Sequence, residues 1–141
     1  MTYVLDTDHL TILERGGVQA LALQLRLEQH SPNSIATTIV SYDEQMRGWL
    51  AECAKSRSIE RVVETYSRLE RNLDLFCSAN LLPFDDRAAT EFVRLRRSGI
   101  RIGTMDLRIA AIAVVHGATV LTGNRADFER VPGLSVEDWS N

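Results

Sequence analysis

The sequence predicts an α/β protein: a three-layer α/β/α sandwich on a short, mainly parallel central sheet. Three observations carry this. Short apolar runs alternate with longer stretches of helical periodicity along the chain, the pattern of successive βα units. The stretch from Met105 to His116 is apolar almost all round, as suits a helix covered by other layers. The 141 residues are 45% hydrophobic and 25% charged, enough for one core without a disulfide or structural metal.

Taken in order, Tyr3-Val4-Leu5 is a short apolar run ending at acidic residues and reads as a buried first strand. Two helical stretches follow, the second from Val18 to Gln29 with leucines at helical spacing. Ser31-Pro32-Asn33-Ser34 is a turn. Ile35 to Thr38 is a second strand, running into a helix through Met46, Trp49 and Leu50. From Ile59 to Cys77, apolar residues at 59, 62, 63, 66, 69, 73, 76 and 77 form the stripe of a long amphipathic helix. Leu81 to Phe84 is a short third strand, and Asp85 or Asp86 caps a helix that Gly99 stops. Thr104 is expected to cap the apolar helix from Met105 to His116. Ala118 to Thr122 is the fourth strand and Leu134-Ser135-Val136 a short fifth. No repeat, low-complexity segment or linker interrupts residues 1–141, so a single domain is expected.

Charge and composition narrow the class. A net charge of −3 argues against passive coating of nucleic acid. The basic residues are almost all arginine, Lys55 being the one lysine; genome composition accounts for that as readily as phosphate recognition does. Cys53 and Cys77 lie in helical patterns without zinc-like spacing, and are expected to be free, buried thiols in a reducing cytoplasm. The N-terminus does not resemble a signal peptide. The longest apolar run, Ile109 to Val115, is far short of a bilayer span, so no membrane role is expected.

The acidic residues are the informative ones. Sites in open parallel sheets form beyond the carboxyl ends of the strands. Asp6 follows the first strand and Glu44 lies early in the helix after the second. Asp106 lies in the first turn of the apolar helix, and Asp127 just after the fourth strand. Singly, each has a plainer role: Asp6 as a helix cap, Asp106 at a helix dipole, Glu44 on a solvated face, Asp127 in a loop. Together they are directed to one sheet edge, and gathered carboxylates require cations. Hard oxygen donors of this kind suit Mg²⁺, with Mn²⁺ as the alternative, and metal-assisted phosphodiester hydrolysis.

Four stretches then resemble the PIN-domain family, VapC-type toxins in particular. Leu5-Asp6-Thr7-Asp8 is similar to the opening LDT[NDS] motif. The strand from Ile35 leading to Glu44 and Gly48 resembles the second, E-x-x-x-G. Gly103 to Ala111, with Asp106 the matching acid, resembles the third, and Thr122 to Phe128 the fourth, T-x-[ND]-x-x-D-F. The tail from Val131 to Trp139 is also typical, so the resemblance spans nearly the whole chain. It implies a PIN-like sandwich and a Mg²⁺-dependent endoribonuclease, the toxin of a toxin–antitoxin pair, with transfer RNA among its candidate substrates. Asp6 and Asp106 would be the main metal ligands. Glu44 and Asp127 would complete the acidic site and Asn124 would be a nearby polar contact. Position 8 is Asp where Asn is common, adding a carboxylate, and Asp43 competes with Glu44 for the second acid. A homodimer and a small VapB-like antitoxin are the implied partners, with the Ile59–Cys77 helix both core-facing and pair-forming. Arg101, Arg108 and Arg125 are candidate RNA contacts, whereas Arg94, Arg96 and Arg97 suit the end of a helix dipole. His9 is expected to pack or hydrogen-bond rather than act as a base, and Trp49 and Trp139 to lie in the core or an interface.

Two other classes compete. Asp6-Thr7-Asp8 also matches the DxD of aspartyl-nucleophile phosphatases. Those enzymes, like phospho-receiver domains, use a lysine near the phosphate, and Lys55 sits mid-helix away from any strand end. A non-catalytic PIN-like binding module would be marked by the loss of an acid, and all four are present.

Overall fold

The computed structural model describes residues Met1–Asn141. Its sheet consists of β1 (Tyr3–Leu5), β2 (Ile35–Thr38), β3 (Leu81–Leu82), β4 (Thr119–Leu121) and β5 (Ser135–Glu137). The strand order is β3-β2-β1-β4-β5 and every pairing is parallel. Seven helices connect and cover them: α1 (Thr7–Arg15), α2 (Val18–Leu27), α3 (Ile39–Lys55), α4 (Ile59–Ser78), α5 (Asp86–Arg97), α6 (Thr104–Val115) and α7 (Arg125–Phe128).

The two faces of the sheet follow from the two-residue period of its strands. Val4 and Val120 join α5 and α6 in one buried cluster, with Ile109 and Phe128. Their neighbours Leu5 and Leu121 point the opposite way, into a second cluster with Leu10, Leu23, Phe76 and Trp139. This is the expected three-layer sandwich. Its strand order turns at β1, which has β2 on one side and β4 on the other. The crevice beyond the carboxyl ends of β1 and β4 is therefore where the topology opens a site.

Local differences from the sequence reading have local causes. Residues Pro32–Ser34 form a 3-10 turn. β3 ends at Leu82 because Pro83 has no N–H to continue the ladder. Asp85 is the cap of α5, accepting from the Ala88 N–H. Gly103, not Thr104, occupies the N-cap of α6, which places Thr104 within the helix and leaves Asp106 in its first turn. The cysteines are not buried: Cys53 is half-buried and Cys77 exposed.

The largest correction concerns α4. Its buried residues are Thr65, Asn72 and Phe76, whereas Ile59, Val63, Tyr66 and Leu73 are exposed. The inward face of α4 is apolar at Phe76 but polar at Thr65 and Asn72, where it meets a polar neighbour. The Asn72 amide donates to Gln45 Oε1 (3.3 Å), and Gln45 in turn donates to Thr11 Oγ1 (3.0 Å). Much of the apolar stripe is thus left on the surface. No helix is long and apolar enough to cross a membrane.

Candidate metal centre

Asp6 sits where β1 becomes α1. Its extended backbone (φ −81°, ψ 177°) makes it the N-cap, and its Oδ1 accepts from the His9 N–H at 2.9 Å. The side chain is only 3% exposed. Burial pushes its carboxyl up to about 7, against hydrogen bonds from Thr122 and the His9 N–H; the charges of Asp8 and Asp106 add to the rise. The capping role and the site role are therefore held by one residue.

Glu44, in the second turn of α3, accepts from Thr7 Oγ1 at 2.6 Å. Its neighbour Asp43 is turned outward, paired with Arg47 at 2.7 Å, so Glu44 is the one facing the other acids. Asp106 is half-buried in the first turn of α6. Burial, then the charges of Glu44, Asp127 and Asp8, push its carboxyl up to about 6, while a hydrogen bond from Asn124 opposes the rise. Asp127 in α7 accepts from Asn124 Nδ2 at 2.9 Å. Asn124 is placed by the loop after β4, where its N–H donates to Thr122 Oγ1 at 2.8 Å. Asp8 reaches across to the same loop, its Oδ2 accepting from the Gly123 N–H at 2.9 Å.

The structure thus brings Asp6, Asp8, Glu44, Asp106, Asp127 and Asn124 to one edge of the sheet. No cationic side chain forms an ion pair with Asp6, Glu44, Asp106 or Asp127. Buried carboxylates with raised proton affinity and no cationic partner fit a divalent cation with oxygen preference. His9 also lies close, within 4.8 Å of Asp6 and Asp8 ligand atoms. Its Nε2 accepts from the Trp139 N–H at 3.2 Å, which leaves the proton on Nδ1, 3.7 Å from Asp8. With the proton on Nδ1 and Nε2 accepting from Trp139, neither ring nitrogen has a free lone pair, which leaves the carboxylates as the available donors.

The arginines are placed less uniformly. Arg125 pairs with Glu129 at 2.9 Å, and Arg108 lies near Met105 and the Phe92 ring. Arg101 has no carboxylate partner and lines a cavity beside Asp127. Sequence reasoning passed over three site groups: Thr7, which orients Glu44; Thr122, which hydrogen-bonds Asp6; and Gly123, against which Asp8 closes. Thr7 and Thr122 lie inside the quoted motifs, but nothing in a lone hydroxyl announces its partner. Trp139 is a core residue, flanked by His30, Tyr3 and the Arg26 guanidinium. Trp49 is half-buried under Arg68.

The chain is similar to several known proteins. The tRNA(fMet)-specific endonuclease VapC of Salmonella typhimurium is 34% identical over 90 residues, covering 61% of each chain. The match thus spans about three-fifths of that relative's length. Ribonuclease VapC1 of Haemophilus influenzae is 29% identical over 142 residues, 99% of both chains. Among solved structures, VapBC-1 from nontypeable Haemophilus influenzae superposes with a TM-score of 0.78 at 24% identity, covering all of both chains. DNA-bound VapBC from Salmonella typhimurium gives 0.77 at 24% identity, covering 99% of this chain and 98% of that one. These likenesses show a common fold. The PIN domain model matches residues 3–134, nearly the full length, and the chain belongs to the PIN domain family.

Proposed function

We propose that the protein is a metal-dependent endoribonuclease, the toxin of a toxin–antitoxin pair, acting in the cytoplasm as one PIN domain spanning residues 1–141. The observation that carries this reading is the convergence of Asp6, Glu44, Asp106 and Asp127 at the β1–β4 crevice without a cationic partner. The relatives named ribonucleases support the reaction class.

Asp6 and Asp106 would hold Mg²⁺, or Mn²⁺ in its place, with Glu44 and Asp127 completing the shell directly or through water. The ion would supply a water of lowered pKa and neutralise charge on the phosphate. The chain's own residues hold this site in shape. Thr7 fixes one Glu44 oxygen, Asn124 braces Asp127 and Asp106, and Thr122 with the His9 N–H orients Asp6. Asp8, tied to Gly123, adds negative charge at the rim. Lys55 lies in α3 and not in the acidic cluster, which leaves the phosphatase reading without its lysine.

Transfer RNA is the first substrate to test, because the Salmonella and Shigella relatives are named as tRNA(fMet)-specific endonucleases. A VapB-like antitoxin is the proposed partner, since similar structures are VapBC complexes. The exposed apolar face of α4, with Val63 65% exposed, is the proposed homodimer surface.

Antitoxin-free protein incubated with total RNA in Mg²⁺, Mn²⁺ or chelator, followed by sequencing of new ends, tests the proposal. Discrete metal-dependent cuts that vanish in Asp6→Asn and Asp106→Asn are expected. Turnover of an aryl phosphate without RNA cuts would favour the phosphatase instead, and silence in both assays a binding module.

A further inference from the structure

Asp127 also borders a cavity of about 620 Å³ with the opposite character to the acidic cluster. Arg96 at the end of α5, Arg101 in the α5–α6 loop and Arg130 just after α7 line it, and Asp127 is its one carboxylate. None of these three guanidiniums is in an ion pair; the arginines that are paired are Arg26, Arg47, Arg68, Arg94 and Arg125. Two of the three are nevertheless held in place. Arg96 lies over the Phe92 ring at 4.8 Å, and Arg130 Nη1 donates to the Arg101 carbonyl at 2.9 Å. The N–H groups of Arg101, Ile102 and Gly103 in the same loop make no hydrogen bond within the chain.

Three unneutralised, partly ordered guanidiniums with open backbone donors make an anion site, and the planar fork of arginine matches phosphate oxygens. This anion site shares Asp127 with the acidic cluster. A ligand that occupies both must carry negative charge at regular intervals: one group for the cation-binding acids, the next for the arginines. A polyphosphate chain such as RNA has that form, whereas an isolated small anion would engage only one half. We propose that Arg96, Arg101 and Arg130 seat a phosphate that flanks the scissile bond of the RNA, fixing the direction in which the strand leaves the acidic centre. The inference rests on the nuclease reading and adds a binding subsite to it. Arg96 and Arg130 join Arg101 as RNA ligands, while Arg125, paired with Glu129 on the surface, does not line this cavity.

The test uses the full chain and a short single-stranded 2′-O-methyl RNA that cannot be cut. Binding is followed by fluorescence anisotropy in Mg²⁺ across a salt series. Arg96→Gln, Arg101→Gln and Arg130→Gln are compared with Arg57→Gln, an exposed arginine in the α3–α4 loop. Each of the first three is expected to weaken binding roughly 3- to 10-fold and to flatten the log–log salt slope by at most about 0.7, the value for the one phosphate they share. With cleavable RNA the same variants should raise KM and leave kcat nearly unchanged, while Asp106→Asn binds RNA but does not cut it. Wild-type slopes in all three folded variants would overturn the subsite, as would an equal loss in Arg57→Gln. A wild-type protein that cuts RNA while those slopes stay unchanged removes the subsite alone. One that neither binds nor cuts RNA removes the nuclease reading and the subsite with it.

Discussion

The hydroxyl of Thr7 donates to Glu44 Oε1 at 2.6 Å, joining residues 37 apart in the chain across the mouth of the acidic site. Thr7→Val keeps the shape and β-branching of the side chain but removes the donor. Nuclease activity should fall about 10- to 100-fold, the usual cost of losing an outer hydrogen bond to a ligand. Higher Mg²⁺ should recover part of the loss while the melting temperature barely moves. Unchanged Mg²⁺ dependence would mean that Glu44 holds its position unaided.

Gly123 and Asp8 define a second close fit. A Cβ at position 123 would stand 2.5 Å from Asp8 Oδ2, so Gly123→Ala must push that carboxylate aside and break its bond to the Gly123 N–H. A roughly tenfold loss of Mg²⁺ affinity is expected, read by isothermal titration. Gly123→Ala combined with Asp8→Asn should be no worse than Asp8→Asn alone, because both act on one group.

The buried acids set a pH dependence in metal-free protein. The Asp6 carboxyl lies at about 7 when folded and at 3.8 in its ordinary state, so between those values the native state keeps a proton the unfolded chain has lost. Its contribution to stability is complete below the unfolded value and is lost as pH rises through about 7; Asp106 acts likewise up to about 6. In chelator, the melting temperature should fall between pH 5 and pH 8 by this mechanism. Asp6→Asn should flatten that fall and gain about 1–2 kcal/mol at pH 8, while Mg²⁺ rescues the wild type only. A wild-type melting temperature in chelator that does not fall over this range would rule out the buried-charge account.

Trp139 is 1% exposed and closes the second core cluster against Leu5, Leu10 and Leu23. Trp139→Ala should cost about 3–5 kcal/mol, as removal of a buried indole does. Chemical denaturation gives the value. A loss below ~1 kcal/mol would show that the tail is not part of the core.

The outward face of α4 predicts an oligomer change. Val63→Glu with Tyr66→Glu places two charges on an exposed apolar patch and should leave the monomer fold and its melting behaviour intact. Light scattering should show a shift from dimer to monomer. A wild type that is already monomeric would end the homodimer proposal.

The fold was legible because its signals are periodic. Val4 and Leu5 alternate between two faces, and the Met105–His116 run has no polar side to show to water, so strands and layers follow from pattern alone. Asp6 and Asp106 were legible for the related reason that each borders an apolar segment, where an acid needs a purpose. The rest depended on three-dimensional partners. The polar patch at Asn72 arises from Gln45, a residue on another helix, so the stripe from Ile59 to Cys77 is split, with Phe76 turned inward and Val63, Tyr66 and Leu73 outward. Thr104 looked like a cap, but the backbone set the boundary one residue earlier, at Gly103. Asp43 and Glu44 were separable only through their partners, Arg47 and Thr7. The Arg125–Glu129 pair could be read from the sequence, because Glu129 stands four residues on, whereas nothing in the sequence links Arg96 to Arg130.

The bond from the Trp139 N–H to His9 closes a loop of 130 residues around the helix that Asp6 begins. β1, moreover, pairs with β4, most of the chain away. During synthesis the first strand and its aspartate emerge early, and only β2 can pair with β1 until β4 follows. The cleft gains its walls only after Thr119–Leu121 and then Trp139 have left the ribosome. The acidic residues can therefore be held in place only late in folding, once β4 and the tail segment are available to close against β1 and α1.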